Sequence, residues 1–132
     1  MTIAEWCVFA SVILYLLPIV PVRWGNAQHF DNARPRDPAL YRDDIRARAL
    51  GAHQNGIEAY PFFAAAVLLA EFRAAPQNLV NELSMLFVIV RSAYVLTYVG
   101  NRPSLRSILW TLGFLITAAI FFLPLIRNYL PI

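Results

Sequence analysis

The sequence predicts an all-α integral membrane protein, a four-helix bundle that forms one domain over residues 1–132. Hydrophobic residues make up 59% of the chain and charged residues only 14%, an unusual balance for a soluble domain. The stretches 6–22 and 108–126 contain no charged residue, and each is long enough to cross a lipid hydrocarbon layer. No segment shows the alternating pattern of a half-buried strand, which leaves helices as the only regular structure.

The first helix is predicted over 3–22. Thr2 and Glu5 have the spacing of a capping box, in which each side chain accepts a hydrogen bond from the backbone of the other. Pro18 and Pro21 are expected to bend or end this helix. The polar stretch that follows is long for a connection in so small a domain, which indicates either a function or a folded excursion.

The other three helices are predicted over 45–72, 78–99 and 104–129. The second has acidic residues in its first turn, as the helix dipole favours, and contains Pro61. A short turn separates the second helix from the third. Gly100 is placed as a C-cap in the tight turn before the fourth helix.

The distribution of basic residues predicts the orientation. All eleven are arginine, which is typical of GC-rich bacterial genomes. Eight lie in or beside the two connections at one end of the bundle: Arg23, Arg34, Arg36, Arg42, Arg46, Arg48, Arg102 and Arg106. The opposite end has Arg73 and Arg127, so the positive-inside rule places both termini on the non-cytoplasmic side of a bacterial inner membrane. The net charge of +3 fits contact with anionic membrane lipids, and no basic aromatic groove points to nucleic acid.

Polar side chains recur within helices that should lie inside the membrane. They form one face on each of the last three helices: Arg48, Asn55 and Glu58; Arg91, Tyr94 and Tyr98; Arg106, Ser107 and Trp110. All three faces belong to the half of the bundle that is predicted to face the cytoplasm. Because intramembrane ionisable groups are costly, such a convergence indicates a shared polar site.

Each of these features also has a purely structural interpretation. Glu58 and Arg91 are able to form a buried ion pair that holds the bundle together. Tyr94 and Tyr98 are equally suited to packing between helices, and Arg106 to anchoring the chain at the membrane surface. For His53 a hydrogen bond to a neighbouring helix is favoured over a ligand role. A metal site is not predicted, because no second histidine, cysteine or acidic cluster has ligand spacing.

Two motifs resemble a known family. AHQNGIEAYPF at 52–62 is similar to the second-helix signature of the membrane-associated proteins in eicosanoid and glutathione metabolism. VRSAYVLTYVG at 90–100, followed by LRS at 105–107, resembles the microsomal prostaglandin E synthase branch of that family. The resemblance covers essentially the whole chain and implies a bacterial member that forms a homotrimer, with glutathione bound between subunits and an apolar co-substrate entering from lipid.

The resemblance also implies roles for individual residues. Asn55, Glu58 and Tyr98 match positions that hold the tripeptide, while Arg106 matches the arginine that stabilises the thiolate and Ser107 an adjacent serine. A carboxylate suits the γ-glutamyl ammonium, and an arginine beside sulfur favours its nucleophilic form. Arg48, Arg91 and Tyr94 complete the set of residues expected to bind the tripeptide.

Four positions depart from the family pattern. Gln54 and Gly51 stand where glutathione-using relatives often carry basic residues, and Tyr94 and Trp110 stand where the prostaglandin branch has histidine and tyrosine. The resemblance implies a glutathione-dependent membrane transferase or peroxidase that acts on lipophilic electrophiles, and with these departures prostaglandin synthesis is not expected. The alternatives are a non-catalytic scaffold or accessory subunit that binds lipid or a partner protein, and an enzyme that uses another thiol or anionic ligand.

Overall fold

The computed structural model describes residues 1–25 and 30–129, and within these residues it contains helices and no strands. The described residues form five α-helices: α1 (Ile3–Leu16), α2 (Ile19–Trp24), α3 (Asp44–Phe72), α4 (Gln77–Val99) and α5 (Pro103–Ile126). Short 3₁₀ helices occupy Pro38–Tyr41 and Arg127–Tyr129. Among the described helices, Ile3–Trp24, Gln77–Val99 and Pro103–Ile126 are long and apolar enough to cross a membrane. The 29-residue α3 is the fourth long helix, so the predicted all-α membrane bundle is confirmed.

The first predicted helix is divided into α1 and α2. Its capping box is confirmed: the Glu5 amide donates to Thr2 Oγ1 over 3.1 Å, and the Thr2 amide donates to Glu5 Oε2 over 2.8 Å. The helix ends at Leu16 because Pro18 has no amide hydrogen to continue the ladder, and α2 resumes at Ile19.

Proline and positive φ angles set the boundaries of the last two long helices. The turn between α4 and α5 follows Gly100, but the left-handed conformation belongs to Asn101, whose φ is 57°. Pro103 occupies the first turn of α5, where its missing amide costs nothing. The fourth predicted helix was expected to reach residue 129, but α5 ends at Ile126. The next three residues, Arg127–Tyr129, form a 3₁₀ turn.

The described part of the long connection is folded. Its 3₁₀ helix buries Leu40 and Tyr41 in a small cluster with residues of α2 and α3. The Tyr41 hydroxyl donates to the Pro35 carbonyl over 3.3 Å and accepts from Arg23 Nε over 3.5 Å. Of the two alternatives for this stretch, the structure favours a folded excursion over residues 30–43.

The main core lies in the half of the bundle away from this connection. Phe63 of α3 stacks on Phe87 of α4 with 3.8 Å between ring centroids, and both are buried. The small α1 residues Ala4 and Cys7 belong to the same buried cluster. We call the opposite end, which carries residues 30–43 and the turn at 100–102, the loop end. The polar faces of α3, α4 and α5 lie between the core and the loop end.

Candidate functional site

A cavity of about 440 Å³, here called the polar cavity, opens between α3, α4 and α5. Ten residues line it: Gly51, Gln54, Asn55, Glu58, Tyr94, Tyr98, Arg106, Ser107, Trp110 and Thr111. The α3 residues recur at intervals of three and four, so they share one helix face. Six of the eight residues predicted from the sequence meet here, and the other two, Arg48 and Arg91, do not line this cavity.

Tyr98 connects all three helices around the polar cavity. Its phenol lies against Gly51, where a Cβ atom would overlap the hydroxyl group. The Arg106 guanidinium lies over the Tyr98 ring, with 4.6 Å between Cζ and the ring centroid. This is a cation–π contact. It fixes the position of Arg106 of α5 on the ring of Tyr98 of α4, and that ring in turn packs against Gly51 of α3.

Arg91 is buried and contacts Asn55 rather than Glu58. Its Nη2 donates to Asn55 Oδ1 over 2.9 Å, and its guanidinium lies 4.1 Å from the centroid of the Tyr94 ring. Among the described residues Arg91 and Glu58 form no ion pair, and Glu58 is exposed to the cavity. The ion-pair alternative is therefore wrong, because the amide one turn earlier on α3 meets the guanidinium.

Arg48 has a different place from the one that was expected. Its Nε donates to the Val99 carbonyl over 3.0 Å, which pairs one of the carbonyls left free at the C-terminal end of α4. Arg48 lies two turns before Asn55 on α3, closer to the loop end. The structure thus connects Arg48 to the end of α4 and leaves it outside the polar cavity.

Ser107 contributes an acceptor to the cavity. Its hydroxyl donates to the Pro103 carbonyl over 3.1 Å, so the lone pairs of the oxygen are what it can offer a ligand. Thr111, which sequence reasoning missed, lies one turn further along the same face and donates to the Ser107 carbonyl over 3.0 Å. The spacing in the sequence could have identified Thr111, because it follows Ser107 by four residues and so lies on the same face of α5.

A second cavity of about 440 Å³, here called the apolar cavity, adjoins the first. The two share Asn55, Glu58 and Trp110. The remaining lining is mostly apolar: Ala59, Phe62, Ala66, Phe87, Arg91, Gly113, Phe114, Thr117, Ala118 and Phe121. Of these residues, only Arg91 was among the site residues predicted from the sequence. The polar cavity and the apolar cavity therefore meet beside Glu58 and Trp110.

His53 lies outside both cavities. Its Nδ1 is 2.6 Å from the Tyr15 carbonyl oxygen, near the break between α1 and α2. The favoured interpretation, a hydrogen bond to a neighbouring helix, is confirmed. Within residues 1–25 and 30–129 no group of three or more histidine, cysteine or acidic side chains is placed to hold a metal ion.

Comparison with known proteins identifies the family. A model of the MAPEG family matches residues 3–126, which is nearly the whole chain. Neither the curated proteins nor the solved structures give a significant match. The match includes all five α-helices and every residue that lines the two cavities. The chain belongs to the MAPEG family.

Proposed function

We propose that this protein is a glutathione-dependent membrane transferase or peroxidase that acts on lipophilic electrophiles. The observation that carries the proposal is the junction of the two cavities. Arg106, Asn55, Glu58 and Tyr98 surround the polar cavity, and an apolar cavity opens directly beside it. Each cavity lies in the range of about 300–1,000 Å³ that is usual for small-molecule sites.

The polar cavity has the chemistry to bind a tripeptide thiol. The Glu58 carboxylate can accept from the γ-glutamyl ammonium, and the Gln54 and Asn55 amides can bind carboxylate or peptide groups. Arg106 can lie beside the sulfur, where its positive charge lowers the pKa of the glutathione thiol. Ser107 can accept the thiol hydrogen bond before the proton is lost to water.

The transfer step forms a bond between sulfur and an electrophilic carbon. The bond from that carbon to its leaving group breaks and the leaving group departs with the electron pair; with an epoxide, the ring oxygen takes a proton from water. With a hydroperoxide, the thiolate attacks the outer oxygen, the O–O bond breaks and an alcohol leaves after protonation. A second glutathione then converts the sulfenic acid to disulfide and water. In every case the nucleophile is the thiolate that Arg106 stabilises.

The assembly and the location are part of the same proposal. We place the chain nearest the microsomal prostaglandin E synthase branch, because of the motifs at 90–100 and 105–107, as a homotrimer in a bacterial inner membrane. The arginine asymmetry supports a topology in which both termini are non-cytoplasmic. The exposed apolar surface, including Phe62, Leu96 and Phe114, supports contact with lipid and with other subunits.

One observation favours a second candidate, a non-catalytic scaffold or accessory subunit. The lining of the polar cavity contains a single cation, Arg106, and a single anion, Glu58. Glutathione has two carboxylates, and Gly51 and Gln54 supply no charge for either. A scaffold would use the two cavities for a lipid headgroup and its acyl chain, or for a partner protein.

Turnover of the purified protein in detergent tests the choice between these candidates. We expect conjugation of a model electrophile, or reduction of a lipid hydroperoxide, to fall roughly 10- to 1,000-fold in Arg106→Ala, the scale for losing one charge-stabilising donor. Arg102→Ala is the matched control, since Arg102 is exposed and lies outside the cavities. No turnover with several electrophiles and peroxides would favour the scaffold. Equal turnover in the two variants would instead refute the role of Arg106 in stabilising the thiolate.

A further inference from the structure

We infer that Arg91 is a positioning residue that orients the Asn55 amide, so that Asn55 presents a hydrogen-bond donor to the α-carboxylate of the γ-glutamyl group. This inference rests on the proposed function, because it specifies how the polar cavity recognises one end of glutathione. It starts from a residue that does not itself line the polar cavity.

The environment of Arg91 restricts what it can do. The residue is 6% exposed and forms one hydrogen bond among the described residues, to Asn55 Oδ1. Its guanidinium is held over the Tyr94 ring, and its Cδ lies 3.5 Å from where a Cβ on Gly113 would be. These contacts with Tyr94 of α4 and Gly113 of α5 hold the guanidinium in one position beside Asn55.

The chemistry of the pair fixes the amide. A guanidinium only donates hydrogen bonds, so the atom of Asn55 that faces Arg91 must be the oxygen. The Nδ2 group is then the part of the amide that remains for a ligand, and Asn55 lines both cavities. Without Arg91 the amide is free to turn over, because its oxygen and nitrogen ends have nearly the same shape.

An oriented Asn55 completes a recognition pair with Glu58. The two residues are three positions apart on one face of α3, so a donor and an anionic acceptor stand side by side. An α-amino acid group has the complementary arrangement, with a carboxylate that accepts and an ammonium that donates. The γ-glutamyl end of glutathione carries such a group, whereas its glycine end has a carboxylate only.

Calorimetry with three ligands tests this assignment. The ligands are glutathione, the analogue without the γ-glutamyl α-carboxylate (γ-aminobutyryl-cysteinylglycine) and the analogue without the α-amino group (glutaryl-cysteinylglycine). For the wild type we expect the decarboxylated analogue to bind roughly 10- to 100-fold more weakly than glutathione, the usual range for a charged hydrogen bond. In Arg91→Met this ratio should fall by at least about twofold, the factor between a fixed amide and one that is free in two orientations, whereas the penalty for losing the amino group should remain.

Two further variants separate positioning from simple stabilisation. Arg73→Met is the matched control, because Arg73 is exposed at the opposite end of α3, and it should keep both penalties. Asn55→Asp keeps an oxygen for Arg91 but replaces the donor with an acceptor. It should therefore fold and should bind the decarboxylated analogue at least as well as glutathione. If Arg91→Met does not fold, a retained preference for glutathione in Asn55→Asp still refutes the inference, because that variant removes the Asn55 donor that Arg91 is inferred to orient.

The outcomes are distinguishable. If the wild type binds glutathione and Arg91→Met or Asn55→Asp retains the full preference for the α-carboxylate, the positioning role is refuted while the proposed function stands. Equal weakening of all three ligands in Arg91→Met would show a structural role and would also refute it. If the wild type binds none of the three ligands, the proposed function fails and the inference fails with it.

Discussion

The substitution Gly51→Ala probes the contact that places Arg106. Gly51 lies inside α3 and faces the Tyr98 phenol. A Cβ atom at this position would overlap the phenol oxygen and would lie 2.6 Å from Cζ, so the Tyr98 ring must move. Because the Arg106 guanidinium lies over that ring, a displaced ring also removes the support of the arginine.

Two opposing effects set the size of the stability change. Alanine is favoured over glycine within a helix by about 1 kcal/mol, and overpacking costs about 1–3 kcal/mol. The net change is therefore a destabilisation of roughly 0–2 kcal/mol, toward the lower end because the obstructing atoms belong to the end of a side chain that can rotate. The lost cation–π contact, worth about 0.5–2 kcal/mol, would add to this destabilisation, and its loss also removes the support of Arg106 in the site.

The matched control is Gly113→Ala. Gly113 also lies inside a helix, but a Cβ there would be 3.5 Å from the nearest atom, which is an ordinary contact. In thermal unfolding in detergent, Gly113→Ala should therefore be at least as stable as the wild type. Gly51→Ala should be less stable than the wild type. Turnover should fall in Gly51→Ala. Adding Tyr98→Leu to Gly51→Ala should remove the steric part of the destabilisation, so the two changes should not be additive.

The reasoning is refuted if Gly51→Ala is as stable as Gly113→Ala and keeps wild-type turnover. That result would mean that Tyr98 does not depend on the absence of a side chain at Gly51. Additive effects in the double variant would lead to the same conclusion.

Two further predictions concern α3. Glu58→Gln should leave the free energy of unfolding within about 0.5 kcal/mol of the wild type, because the carboxylate is exposed and unpaired among the described residues. Glutathione affinity measured by calorimetry should fall by roughly tenfold or more. A large loss of stability would mean that Glu58 has a structural role. His53→Ala should destabilise the protein by about 1–3 kcal/mol in thermal unfolding, because the Tyr15 carbonyl loses its partner near the helix break. His53→Gln keeps a donor and should recover part of that loss; equal stability of the wild type and both variants would contradict the bond.

The helices were predictable because their signals are local. Uncharged stretches, the capping box at Thr2 and Glu5, and the proline at position 103 act within a few residues of where they stand. The break between α1 and α2 was only partly predictable. Pro18 permits either a bend or an end within a bundle, and the outcome depends on the neighbouring helices.

The partners of the buried groups were less predictable. Asn55 and Glu58 lie on one face of α3, and spacing alone cannot decide which of them meets Arg91. Arg48 lies on the same face, but two turns nearer the loop end, where the free Val99 carbonyl lies within its reach. Which side chains meet depends on how far α3 is shifted along its axis relative to α4. The sequence of one helix does not determine that shift.

The apolar cavity was not predictable for a related reason. Its lining combines residues of α3, α4 and α5, such as Phe62, Phe87 and Phe114, and which faces of the three helices meet depends on how the helices pack. The same holds for the contact of Tyr98 with Gly51. In the sequence Gly51 is notable only as a place where relatives often have a basic residue; the structure shows that Tyr98 fills that space.

Ultraviolet difference absorbance of glutathione bound to the purified protein at neutral pH tests the central claim most directly, because it reports binding and ionisation of the thiol together. The account predicts a thiolate band with the wild type and with Arg102→Ala, and a much weaker band with Arg106→Ala, in which Asn55, Glu58 and Tyr98 still bind the tripeptide. Glutathione that binds to the wild type without a thiolate band, or a band of equal strength in Arg106→Ala, would contradict the role of Arg106 on which the account depends.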